Sequence, residues 1–178
     1  LVWQTELKDE HKGAVFAPTN LVKQSGNKVP WIVVCGQHLH LIDGRKGEVK
    51  WRNDYGKGSI QRGVAIADID GNRKPDLAFV VGTRLYVVRA EDGKELWSEE
   101  MRVGEGIYEG GGAPLILDLD GDGHLDIFLV MGRGLSDDTR LQNYGRAIAL
   151  RAGKGKPDKG NQWLTFRGGP QRIGTPSD

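Results

Sequence analysis

The sequence predicts an all-β protein made of small, repeated, four-stranded sheets, and three observations predict it. The first is a repeat of about fifty residues. Gly13-Ala-Val-Phe-Ala, Gly63-Val-Ala-Ile-Ala and Gly112-Ala-Pro-Leu-Ile-Leu begin 50 and 49 residues apart. The second is a set of landmarks at one offset: Gly36, Leu39, Gly47 and Trp51 map onto Gly82, Leu85, Gly93 and Trp97, each shifted by 46. The third is a pair of runs, Leu77-Ala-Phe-Val-Val81 and Ile127-Phe-Leu-Val-Met131, apolar at every position. A strand with water on one face alternates polar and apolar residues. Unbroken apolarity means cover on both faces. A small sheet covered on both faces by sheets like itself is a β-propeller blade. No segment holds a sustained helical period, which disfavours helical repeat arrays.

The elements follow in order. Residues 1–12 are the end of a preceding blade, because Trp3 lies 48 residues before Trp51. Residues 13–62 form the first blade, 63–111 the second and 112–164 the third. Residues 165–178 are a C-terminal tail. The middle copy shows the four strands most clearly, at 64–67, 77–81, 84–89 and 94–97. Asp70-Gly71, Gly82-Thr83 and Asp92-Gly93 are the turns between them. The third copy carries an insertion at 133–144 before the strand at 146–151, and its tryptophan is Trp163. Propellers have about 4–8 blades, so three complete copies are expected to belong to a larger or oligomeric propeller, the alternative being a strained four-blade ring that uses both chain ends. The abrupt Leu1-Val2-Trp3 start is read as the mark of a truncated or processed parent.

Composition narrows the function. The 178 residues hold 25 basic and 24 acidic side chains, a formal net charge of +1. That balance gives no reason to expect nucleic acid as a partner. No run of about 18 apolar residues exists to span a membrane. Hydrophobic residues at 38% are ordinary for a globular chain, and 27 glycines fit many tight turns. The lone cysteine, Cys35, lies in the apolar run Trp31-Ile-Val-Val-Cys35 and reads as a buried strand thiol.

The most informative segment is Asp118-Leu-Asp120-Gly-Asp122-Gly-His124-Leu-Asp126. Its acids sit at positions 1, 3, 5 and 9 of one loop, so alternate residues can point carboxylates at one centre. Calcium takes about 6–8 oxygen ligands. Gly121 and Gly123 permit the backbone angles of the curl, and His124 would offer its backbone carbonyl. Four clustered carboxylates without a cation would repel one another. This is not an EF-hand, because position 12 is Leu129 rather than a glutamate. The alternative is an Asp-Gly turn with solvated carboxylates. The middle copy repeats the pattern with one charge fewer: Asp68, Asp70, Asn72 and Asp76, with Lys74 close by. The first copy offers Pro18, Asn20 and Pro30 near the matching places and is expected to keep the turn without a metal.

These two loops, each running into an apolar strand, resemble FG-GAP (integrin α-type) repeats. That resemblance implies a β-propeller with calcium, Ca2+, in loops between strands of individual blades. The blade ends, Asp43-Gly-Arg-Lys-Gly-Glu-Val-Lys-Trp51 and Ala90-Glu-Asp-Gly-Lys-Glu-Leu-Trp97, are closer to the tryptophan-docking motif of quinoprotein-like propellers, as is the tail from Trp163 to Arg172. By that resemblance Trp51 and Trp97 lock blade to blade.

Other segments are weaker candidates. The insertion, with Asp137, Asp138, Arg140, Asn143 and Tyr144, offers a glycan or protein surface or an ordinary hairpin loop. Residues 104–112 are flexible by composition and read as an inter-blade connection, the alternative being a segment that wraps a ligand. His38 and His40 alternate along one strand and could form half of a metal site, but with no third ligand evident they read as ordinary strand-face residues. Six basic residues between Arg151 and Arg172, against Asp158, read as a solvated edge. No nucleophile constellation or phosphate loop is present. The expected function is a non-catalytic, calcium-binding module for protein or glycan binding, extracellular or periplasmic, with self-assembly through blade edges. The alternatives are part of a propeller enzyme, a quinoprotein-like oxidoreductase or a polysaccharide lyase, and a structural fragment whose calcium rigidifies loops.

Overall fold

A computed structural model describes residues 1–7, 19–24, 26–56, 58–60, 62–101, 108–110, 112–133 and 145–157. Expectations for 13–18, for the insertion beyond Arg133, for Trp163 and for the tail from 158 fall outside them. Among the described residues there are β-strands and no helix. Three antiparallel sheets follow one another along the chain. The first is β1 (Asn20–Gln24), β2 (Asn27–Cys35), β3 (Leu39–Asp43) and β4 (Val49–Asn53), in that order. The second is β5 (Ala65–Ala67), β6 (Asp76–Val81), β7 (Arg84–Arg89) and β8 (Glu95–Glu100), again in order. The third joins β10 (Leu115–Leu117), β11 (Asp126–Arg133) and β12 (Gly145–Arg151). These are propeller-type blades, each an up-and-down meander.

The core lies between the sheets. Val22, Val33, Cys35, Leu39 and Leu41 of the first blade meet Ile66, Leu77, Phe79 and Val88 of the second in one layer. Ala65, Ala67, Ala78, Leu85 and Val87 on the opposite face of the second blade meet Ile116, Ile127, Leu129 and Met131 of the third in another. This is why β6 reads as unbroken apolar sequence: its alternate residues serve two different layers. Cys35 is fully buried, and burial pushes its thiol up to about 12.

Two sequence expectations need correction. In the first copy, Val22 pairs with Trp31 as Ile66 pairs with Leu77, so Asn20 takes the place of Val64 rather than of a loop acid. β1 and β2 run on to the pair Gln24 and Asn27, and the sequence between these two holds no carboxylate. The segment 104–112 is not connection throughout. Tyr108–Gly110 form a short strand, β9, paired with Met131, Gly132 and Arg133. β11 is eight residues long, whereas β10 covers only Asp126, Ile127 and Phe128, so the far end of that edge is free to take β9.

The tryptophans tie each blade to the next. The Trp51 indole donates to the Ala90 carbonyl at 3.0 Å, and Asn53 donates to Gly93 O at 3.1 Å. Trp3 and Thr5 make the same pair of bonds one blade earlier, to Gly44 O (3.0 Å) and Gly47 O. The turn must be glycine here. Gly93 has φ +69°, and a Cβ on it would lie 3.0 Å from the Trp51 ring. Trp97 is half-buried against the second layer and borders a shallow hollow with Glu99, Leu150, Arg151 and Ala152.

Candidate metal centre

Both acidic loops lie between the inner strand of a blade and its neighbour, and both fold by the same rule. The first acid turns back on the backbone that follows it. Asp68 accepts from Gly71 N (2.9 Å) and Arg73 N (2.8 Å). Asp118 accepts from Gly121 N (2.7 Å), Asp122 N (3.1 Å) and Gly123 N (2.9 Å). The next positions form short side-chain turns: Asn72 N to Asp70 and Lys74 N to Asn72, matched by Asp122 N to Asp120 and His124 N to Asp122. The last acid reaches back from the start of the second strand. Asp76 accepts from Ile69 N (2.9 Å) and Asp70 N (3.2 Å), and Asp126 from Leu119 N (3.0 Å). One position differs. Gly123 has φ +84°, while Arg73, fifty residues earlier, holds φ +67° with a side chain attached.

The outcome is two carboxylate clusters, the only groups of this kind among the described residues. Ligand atoms of Asp68, Asp70 and Asp76 lie within 4.8 Å of one another, and so do those of Asp118, Asp120 and Asp126. Every donor is an oxygen, the chemistry a hard cation takes. Residues 68–76 show a further sign of fit. Asp76 is fully buried, and its Oδ1 has no hydrogen-bond partner. Burial, followed by the nearby Asp70 and Asp68, pushes its carboxyl up to about 7. A buried carboxylate oxygen with no partner is costly, and a cation among these three acids would satisfy it. Asn72 would add its side-chain oxygen.

Lys74, close in sequence, does not enter this cluster, because its ammonium pairs with Glu91 at 2.7 Å. The 118–126 loop is different. Arg151, read from sequence as part of a solvated basic edge, instead turns its guanidinium onto the loop. It bonds to Asp122 Oδ2, donates to Asp120 Oδ2 at 3.0 Å and lies 3.4 Å from Asp126 Oδ1. The bond to Arg151 holds the Asp122 carboxyl below the usual carboxylate range. The two loops therefore differ in how their charge is met. The richer motif carries an internal cation, and the poorer one carries the unsatisfied oxygen.

The remaining histidine candidates stand apart. His38 and His40 are buried, their rings edge-on at 6.1 Å, and Arg52 lies 3.0 Å from His38 Nε2. They join no carboxylate cluster among the described residues. The segment 152–155 links the two loops. Ala152 N donates to Leu125 O, Leu125 N to Gly155 O, and Gly155 N to Ile69 O, at 3.0, 2.9 and 2.9 Å. A Cβ on Gly155 would overlap the Asp68 carbonyl.

Consecutive antiparallel blades with an acidic loop ahead of the second strand define a propeller-type repeat protein. Residues 68–129 match the FG-GAP-like repeat, so both acidic loops fall within or at the edge of that repeat. No curated protein matches the chain. Among solved structures, the chain is similar to BamB from Moraxella catarrhalis, with 14% identity over 83% of this chain and 36% of that one and a TM-score of 0.45. It is also similar to the V. cholerae biofilm matrix protein Bap1, with 16% identity over 77% of this chain and 22% of that one and a TM-score of 0.50. At this identity the likeness to Bap1 is one of fold.

Proposed function

We propose that this chain is a calcium-binding repeat module that acts by binding and assembly, not catalysis, in an extracellular or periplasmic setting. The observation that carries the reading is the buried Asp76, with its Oδ1 unpartnered, clustered with Asp68 and Asp70 in a loop that supplies only oxygen ligands. Two such loops in tandem fit calcium that rigidifies blades, and loop sites of this kind suit the millimolar calcium found outside cells. The partner would be a protein or glycan met on the blade faces or edges. Bap1 is named as a biofilm matrix protein, which is compatible with this reading.

The test is thermal unfolding with calcium and with chelator. A ligand at about 100 times its Kd adds about 2.7 kcal/mol to stability, enough for a clear rise in Tm. Asp76→Asn should erase most of that rise while stabilising the chelated protein, because it removes a buried charge and can still accept from Ile69 N. An identical Tm with and without calcium would sink the proposal.

A further inference from the structure

The two loops differ in one arginine, and the difference has a readable cause. Strand register pairs Asp76 with Arg89 and Asp126 with Arg151, so the two arginines hold equivalent places beside the closing acid of each loop. Arg89 does not reach its loop. Its guanidinium is held at 3.1 Å by Asp92, three residues on in the same turn. Three residues after Arg151 the sequence has Lys154 instead. With no acid at that place in its own turn, Arg151 folds the other way, onto Asp120, Asp122 and Asp126.

We infer that Arg151 is the resident counter-cation of the 118–126 loop, which calcium must displace, so that residues 68–76 fill at lower calcium than residues 118–126. This rests on the calcium reading above. The guanidinium uses Nε, Nη1 and Nη2 on three different carboxylates, a fork geometry that no lysine could supply. Asp120, Asp122 and Asp126 are three of the acids the sequence assigns to calcium, so ion and arginine compete for the same groups. The charge count supports the assignment. Four acids and one guanidinium leave the 118–126 loop at formal −3, the value that Asp68, Asp70 and Asp76 give the other loop. Asp122, which stands where the other loop has Asn72, thus matches the arginine.

The experiment is calorimetric titration of the whole chain with calcium, using Asp76→Asn to silence the 68–76 loop. In that background Arg151→Met should raise the remaining affinity by about tenfold or more, within the usual range of coupling between two ligands. The same substitution should lower Tm in chelator, because it leaves the acids uncompensated, and saturating calcium should remove the difference. Arg151→Gln, milder in shape, should move both readouts in the same directions. Calcium uptake by residues 68–76 in the otherwise native chain, together with no gain in affinity at 118–126 on either substitution, overturns this inference alone. Absence of calcium uptake by every variant overturns the calcium reading and this inference with it, and the chelator Tm of Arg151→Met then reports only a structural ion pair.

Discussion

Asp76 is a residue placed against its own chemistry: fully buried, beside two other acids, with one oxygen on backbone N–H groups and the other on nothing. Its carboxyl titrates near 7 in the folded chain against about 3.9 in an unfolded one. Between those values the unfolded chain holds fewer protons than the folded one, so stability falls as pH rises. In chelator, Asp76 should therefore stabilise the fold fully below about pH 4 and lose that contribution as pH climbs through about 7. Denaturant midpoints across this range, compared with Asp76→Asn, should show the slope in the native chain and a flatter profile in the variant. Calcium should flatten the native profile too. The spacing of the acids made this loop visible in sequence, because alternate positions of a tight turn must converge. The fate of the basic residues was not visible. Whether Arg89 or Arg151 enters a loop depends on a side chain three residues away and on the strand register, which no charge count contains.

At the scale of elements, the tryptophan at the end of each outer strand is the joint. Trp51 lies opposite Leu41, next to a register shift between Leu41 and Ile42, and Trp97 lies opposite Val87, next to the same shift between Val87 and Val88. Trp51 reaches across the joint to Ala90 O, whereas Trp97 packs without a hydrogen bond among the described residues. Trp51→Phe should then cost about 1 kcal/mol, the usual worth of one hydrogen bond. Trp97→Phe should cost about half that or less. Equilibrium denaturation of the two variants side by side measures the difference, and equal costs would remove the docking bond from the account. The repeat landmarks made these joints legible, because Gly47 and Trp51 recur at one offset as Gly93 and Trp97, and Gly47 and Gly93 fold beneath Trp3 and Trp51, each one blade earlier. The first blade was less legible. Its inner hairpin replaces a loop by longer strands, and a substitution of one local solution for another leaves no landmark to align.

At the scale of the molecule, stability comes from layers between blades rather than from any blade alone, which makes a blade face that is exposed among the described residues the feature to explain. On the second blade Ala65, Ala78, Leu85 and Val87 are fully buried beneath the third. Register places Leu115, Phe128, Ala147 and Ala149 at the same positions on the third blade, together with Val130 at the place of Val80. There Ala147 and Ala149 are exposed, and Val130 is 47% exposed. Apolar patches on a soluble surface mark contact sites, and the buried counterpart on the second blade shows that a sheet of the same kind fits such a face. A second copy of the chain offers one, and the proposed assembly role, if it runs through this face, predicts self-association there. Val130→Lys should weaken that association in sedimentation velocity while leaving Tm nearly unchanged, since the side chain is 47% exposed. Association that survives Val130→Lys and Ala149→Glu together would place the contact elsewhere. A loss of Tm in either variant would mean that the face is covered within the chain itself.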